Sequence, residues 1–415
     1  MTKISKRLND VIFVLFALFI LANQFAVYTN FRFTSYFLFI LTLGLICISY
    51  FRDKKKIYKK SVNFENFIFL LISLLLIYFY FQNKNDLNLK MFLYFVIILL
   101  ISNLIYQKDN LRLILNMTLM LATLLLIIGF YGWFNGGEGG AFGNQFIYFG
   151  YRYLPSTRNE DHIIFLLAYI ITLFFIFSKE NSKIYFILNS LFAAILFLSY
   201  SRGYWLIYML IFLFGFLMNI FFKYIEMKKF LKIYLINIIF LVIIILILNS
   251  IIKLSYTNTE LTLQNQFYIK VNSVYKFLIN DNNYSSSLES SSALSWKQKS
   301  AEYRELKKYF FEYNSGEKNN YKYYENSFLF LLVNLPLVFF LNLLYFAKES
   351  CFILKKKNYQ NSNNFFYTIF ILSFIYLNII YNFTEDSVNY LYLLLMLIFK
   401  KKILRNHFTN KIHNT

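Results

Sequence analysis

Apolar runs of roughly 17–22 residues recur along the chain, most of them ended by a short polar or charged break. That length crosses about 30 Å of hydrocarbon at about 1.5 Å of rise per residue. Lipid offers no partner for an unpaired backbone amide or carbonyl, so each run is expected to be an α-helix. The pattern predicts helices near 11–29, 35–51, 62–81, 89–106, 113–131, 162–178, 184–200, 204–222, 233–252, 326–346, 365–382 and 387–400. The pair 184–222 would read as one long stretch if Ser201-Arg202-Gly203 did not interrupt it with a charge. The expected fold class is all-α, a polytopic integral membrane protein of about 12 transmembrane helices with one large external loop.

Between the runs lie two long polar segments. Residues 132–161 carry seven of the twelve glycines, from Gly132 to Gly150, followed by Arg152, Pro155, Arg158, Glu160 and Asp161. Residues 253–325 are Ser/Asn-rich around Asn280–Ser292 and then predict an amphipathic helix near Ser295–Tyr313, with Trp296, Tyr303, Leu306 and Phe310 on one face. The organisation is therefore helices one to nine over 1–252, the large loop 253–325, helices ten to twelve over 326–400, and a basic tail 401–415. No period of about 20–50 residues is visible, and the two halves do not mirror each other in loop length. Met1–Asp10 is basic and leads into an apolar run, as a signal peptide does. Without a small-residue cleavage site it reads as an uncleaved first helix.

Composition agrees with the pattern. Hydrophobic residues make up 58% and charged residues 15% of the chain, with a mean hydropathy of +0.49. A water-soluble chain that apolar could not cover its core with polar surface. The formal net charge of +21 would suggest nucleic acid in a soluble protein, but basic loops on one side of a membrane account for it better. Alternate loops, among them Arg52–Lys60, Lys348–Asn364 and Lys400–Thr415, hold 26 of the 42 Lys and Arg residues. The other set holds 16, of which ten sit in the long segment 253–325, and long loops are largely exempt from the rule. The basic set is expected in the cytoplasm with both termini, and the two long loops outside. Cys47 falls in an apolar run and Cys351 in a basic loop, so no disulfide framework is expected.

Candidate chemistry concentrates on the outer face. Lys outnumbers Arg by 33 to 9, so an Arg suggests a use for the guanidinium itself, whose planar fork holds phosphate bidentately and stays charged in low dielectric. Arg32, Arg152, Arg158, Arg202 and Arg304 are outward in this topology. Arg202 has almost no loop to hold it and must lie at or just below the interface, where a charge is functional by default; the alternative is snorkelling to lipid headgroups. Arg152 and Arg158 flank the Gly-rich loop, whose backbone amides can approach an anion or sugar closely. Arg304 reads as part of a solvated mixed-charge face, and Arg32 as an interfacial anchor. Among the outer carboxylates, Glu325 directly precedes span ten, where partial burial suits a general base, or where it is simply a helix N-terminal acid. Asp161 and His162 open span six. His407 and His413 fall in the tail. No metal-ligand spacing, P-loop, Rossmann glycine pattern or Asp-x-Asp nucleotide-sugar signature occurs, and no cofactor is expected.

Leu198-Ser199-Tyr200-Ser201-Arg202-Gly203, followed by a long apolar run, resembles the "SRG" signature of the O-antigen polymerase and O-antigen ligase family. Arg158-Asn159-Glu160-Asp161 is similar to the Asn-containing segment that the family carries upstream. Glu325-Asn326-Ser327-Phe328-Leu329, opening a helix after a large outer loop, looks like its "HNSYL" segment. The departures are Glu325 where ligases of the family place a histidine, no histidine anywhere in 253–325, and a Gly-rich stretch reduced to Gly316. They favour the polymerase branch. The resemblance implies glycosyl transfer at the outer face of the bacterial inner membrane. A hydroxyl of one undecaprenyl-pyrophosphate-linked repeat unit attacks the anomeric carbon of another chain, and undecaprenyl pyrophosphate leaves. Arg202 with Arg152 or Arg158 would hold the pyrophosphate, Asn326 would bind the glycan, and Glu325 or Asp161 would take the acceptor proton. Implied partners are the lipid-linked glycans, the bilayer, a chain-length regulator and a flippase, and no nucleic acid. A ligase remains an alternative reading, as does a flippase, whose usual pair of similar halves and short loops contrasts with 253–325.

Overall fold

The computed structural model describes residues 11–12, 14–20, 32–52, 64–84, 86–106, 111–134, 163–178, 183–198, 202–222, 227–255, 268, 271–273, 275–276, 278–279, 327–355, 362–380 and 389–400. Among these the fold is all-α, with no strand. The helices are α1 (14–20), α2 (Arg32–Arg52), α3 (Phe64–Asn83), α4 (Asp86–Tyr106), α5 (Leu111–Phe134), α6 (Ile163–Phe177), α7 (Lys183–Leu198), α8 (Arg202–Phe222), α9 (Met227–Ser255), α10 (Ser327–Asn334), α11 (Pro336–Lys355), α12 (Ser362–Ile380) and α13 (Asn389–Lys400).

Each of α1 to α13 falls on one of the apolar runs, whereas the helical residues 268, 271–273, 275–276 and 278 fall in the segment 253–325 expected as a loop; the other differences have local causes. Span ten is two pieces. Pro336 has no N–H to give the carbonyl of Leu332, and its ring crowds the preceding turn. The backbone bonds on either side survive, Leu335 N to Leu331 O at 2.8 Å and Phe339 N to Leu335 O at 3.0 Å, so the helix is interrupted without ending. It then runs past the predicted 346 to Lys355, which puts Cys351 on a helix, where a basic loop was expected. Likewise α9 begins at Met227, six residues before the apolar run, because Lys228, Lys229 and Lys232 are good helix formers that hydropathy discounts. Gly132, expected in the Gly-rich loop, belongs to the last turn of α5. Most of segments 132–161 and 253–325, including the expected helix 295–313, lies outside the described residues.

The centre of the bundle is α6, all fifteen of whose residues are buried. It packs on α5, α7 and α12, and α7 continues the layer to α9. A second group joins α3 to α4 and α11, with α2 against α4. Every residue of α13 is also buried. Its Phe399 lies 5.1 Å from Phe174 of α6, ring centre to ring centre, and 5.1 Å from Phe370 of α12. The short helix α1 borders an apolar crevice shared with α5 and α13, lined by Phe16, Ile20, Met117, Leu121 and Leu391.

The peripheral helices reverse the order of a soluble protein. In α8, Tyr204, Ile207, Tyr208 and Ile211 face the core, while Leu206, Met209, Leu213, Leu217 and Ile220 are exposed at helical spacing. In α3 the exposed stripe is Phe67, Leu70, Leu74, Tyr78 and Phe81, and in α9 it is Leu231, Leu235, Ile238, Val242 and Leu246. Two helical stretches, Gly203–Phe221 and Met227–Ile247, are long and apolar enough to cross a membrane. Polar side chains inside the helices turn back on their own backbone. Ser73, Thr118, Thr172 and Ser373 each donate to the carbonyl four residues earlier, at 2.6–2.9 Å. Asn334, Asn342 and Asn378 do the same at 2.9–3.0 Å. This satisfies a polar group without water.

Contacts between helix ends collect those ends in two groups. Tyr185 near the start of α7 stacks on Phe175 near the end of α6, and Lys229 in the first turn of α9 donates to the Phe177 carbonyl at 3.3 Å. Glu349, Tyr367 and Lys400 join the ends of α11 and α13 to the start of α12. This end therefore gathers Lys183, Lys229, Lys348 and Lys400. The opposite end holds the end of α7, the start of α8 and the last turns of α12.

Candidate functional site

Arg202 is the first residue of α8, and the next two residues, Gly203 and Tyr204, are already buried. Two side chains fix this helix start. Trp205 Nε1 donates to the carbonyl of Phe197 at 2.8 Å, which clips the tight hairpin between α7 and α8. Tyr376, one turn from the end of α12, donates its phenol to the Gly203 carbonyl at 3.3 Å. Three helices thus meet at the backbone beside Arg202. A helix start also points backbone N–H groups outward, which suits an anion.

Arg152, Arg158, Asp161, Glu325 and Asn326 lie outside the described residues, as do Arg304, Glu160 and His162. The helices that follow them in sequence are described. Ile163, two residues after Asp161, opens α6, and Ser327, next after Asn326, opens α10; both are fully buried. Helices α6, α8 and α10 all pack on α12. These three spans thus share α12 as a neighbour, with α6 meeting it through Phe174 and Phe177 near its own end.

Two polar clusters inside the bundle were not anticipated. The first crosses α6, α7 and α9. Asn189 Nδ2 donates to the Tyr169 carbonyl at 2.8 Å and to Thr172 Oγ1 at 2.7 Å, while its Oδ1 accepts from Asn237 Nδ2. Ser190 Oγ donates to Asn237 Oδ1 at 2.7 Å. Asn189, Ser190, Asn237 and Thr172 are all fully buried. A satisfied ladder of this kind holds helices in register where lipid supplies no competing donor. The second cluster is an ion pair between Lys400 Nζ and Glu349 Oε1, with Tyr367 donating its phenol to Glu349 Oε2. Glu349 is 0% and Lys400 3% exposed. The sequence signal for it was the apolar run Cys351–Leu354, which resumes after Lys348-Glu349-Ser350 and so keeps Glu349 on a helix. Among the described residues no group of three or more His, Cys, Asp and Glu side chains could hold a metal ion.

No protein-family model, curated protein or solved structure matches the chain.

Proposed function

We propose that the chain is a multi-pass protein of the bacterial inner membrane, about twelve spans with both termini in the cytoplasm. We further propose that it polymerises lipid-linked oligosaccharide repeat units at the outer face. Support for the membrane comes from the long exposed apolar stripes on α3, α8 and α9, a feature that soluble monomers rarely carry. The lysine-rich end of the bundle, with Lys183, Lys229, Lys348 and Lys400, fits the cytoplasmic side.

For the chemistry, the observation that carries the reading is the start of α8. Trp205 and Tyr376 hold its backbone, and an arginine opens it at the end of the bundle away from those lysines. There Arg202 would hold the pyrophosphate of an undecaprenyl-linked donor, with Arg152 or Arg158 from the Gly-rich loop as second cation. Asn326 would orient the glycan, and Glu325 or Asp161 would accept the proton of the attacking hydroxyl. The anomeric bond is already activated, so the protein's part is to position the partners and stabilise the charge that leaves.

Surface-glycan laddering tests this. In an Arg202→Ala strain, long glycans should be lost while single-repeat glycans are still made and exported. Loss of every repeat from the surface would favour the ligase or flippase reading. An unchanged ladder would remove Arg202 from the site.

A further inference from the structure

A piece of helix lies inside the large polar segment 253–325, among residues 268–279, and the Ile279 N–H closes its last turn on the Tyr275 carbonyl at 3.1 Å. Tyr268, Val271, Tyr275, Leu278 and Ile279 are each 50–70% exposed. At about 3.6 residues per turn their spacing puts all five on one arc about 100° wide. Ser273, which falls nearly opposite the middle of that arc, is fully buried, and Asn272 and Lys276 beside it are half-buried. The helix therefore turns a polar side inward and an apolar side outward, the reverse of a helix in water.

Charge, residue type and chain length together say what covers that face. From Leu261 to Asn280 the sequence holds no Asp or Glu and two lysines, Lys270 and Lys276, which complements the phosphates of lipid headgroups. Phenylalanine is the commoner aromatic in the chain, 52 against 36 tyrosines, yet both aromatic residues on the exposed arc are tyrosines. A tyrosine keeps its ring among the acyl chains and its hydroxyl at the headgroups, so it suits the boundary better than the hydrocarbon. Finally, α9 runs from the lysine-rich end to Ser255 at the Arg202 end, and residues 256–267 follow it directly. Fully extended they reach no further than about 45 Å, so the segment is tethered to the surface at which α9 leaves the bilayer.

We propose that residues 268–279 form an interfacial helix lying on the outer surface of the membrane, with Tyr268, Val271, Tyr275, Leu278 and Ile279 sunk about 5–10 Å into the boundary between headgroups and acyl chains. It rests on the membrane orientation put forward above, and it stands whether or not the polymerase chemistry does. Anchored in this way, the first part of the long loop is held at the depth of the lipid phosphates, where the pyrophosphate of a lipid-linked donor would also sit.

Photolabelling of the full natural chain in lipid nanodiscs tests it, using one phospholipid with a diazirine beside its glycerol backbone and another with the diazirine at the acyl chain end. Peptides containing 268–279 should take adducts from the first lipid and not the second, while the α9 stripe from Leu231 to Leu246 should be labelled from within the hydrocarbon. Val271→Asp combined with Leu278→Asp should abolish the adducts at the segment and leave those on α9. Adducts on α9 with none at the natural segment would overturn the interfacial helix and leave the bilayer standing; a second copy or another protein covering the face would give this result. Adducts on neither would sink both. Labelling of the segment from the chain end would mean that it dips into hydrocarbon, and adducts that survive the two aspartates would mean that another surface makes the contact. Either result overturns the proposal.

Discussion

Lys84 ends α3 in the left-handed region, with φ of 49°, and its N–H bonds the Tyr80 carbonyl at 2.7 Å. A glycine takes that conformation at a helix C-terminus without the Cβ clash. Lys84→Gly should therefore raise stability by about 0.5–1 kcal/mol, and Lys84→Val should lower it, read by thermal unfolding in detergent. The start of α8 poses a different single-residue question. If Arg202 only supplied charge to headgroups, Arg202→Lys would restore a full ladder of surface glycans. If the planar fork grips two phosphate oxygens, lysine should rescue poorly, leaving chains shortened as in Arg202→Ala. The residue was legible in the sequence because it is an arginine in a lysine-rich chain and interrupts an apolar stretch. Tyr376 and Trp205, which hold its backbone, were not. Nothing in a chain of 36 tyrosines and 52 phenylalanines marks the one whose hydroxyl meets a carbonyl 173 positions away.

Between elements, the buried ion pair of Glu349 and Lys400 joins α11 to α13 beside the start of α12. Removing one partner leaves a charge buried without compensation, while removing both leaves none. Glu349→Gln or Lys400→Met alone should cost about 3–5 kcal/mol, and the double substitution should recover most of it, measured as a double-mutant cycle on Tm in nanodiscs. Gly215 tests packing in the same region. A Cβ there would stand 3.2 Å from the Phe230 ring of α9 and 3.2 Å from the Phe365 ring of α12. Gly215→Leu should destabilise by about 1–3 kcal/mol or more, whereas Gly44, with nothing within 4 Å of its Cβ position, should accept leucine. The elements themselves were legible because lipid-length apolar runs admit only one backbone solution. Their ends were misjudged where lysines or Lys348-Glu349 continue a helix that hydropathy abandons. The pairings Glu349–Lys400 and Asn189–Asn237 join residues 51 and 48 positions apart, and no local pattern encodes which polar side chain meets which.

At the scale of the whole molecule, the proposal makes one demand: the lysine-rich end and the Arg202 end must lie on opposite sides of a membrane. The chain is suited to testing this because it carries only two cysteines. Cys47 is exposed on α2 in line with Ile40 and Ile48, which are exposed too, so in a bilayer it would face acyl chains. Cys351 lies on α11 near Glu349, at the lysine-rich end. A membrane-impermeant maleimide applied to intact spheroplasts should therefore label the natural chain weakly, because a polar reagent does not enter hydrocarbon and the other thiol is inside. Lys84 sits in the turn joining α3 to α4, at the end of α3 that the topology places outside, and Lys228 sits exposed in the first turn of α9, at the inner end. Lys84→Cys should label strongly in intact spheroplasts. Lys228→Cys should label only after lysis. The reverse pattern would invert the topology and put Arg202 in the cytoplasm, where lipid-linked repeat units no longer await polymerisation. Equal labelling of both sites before lysis would remove the bilayer from between them, and the exposed stripes on α3, α8 and α9 would then need a partner protein to cover them.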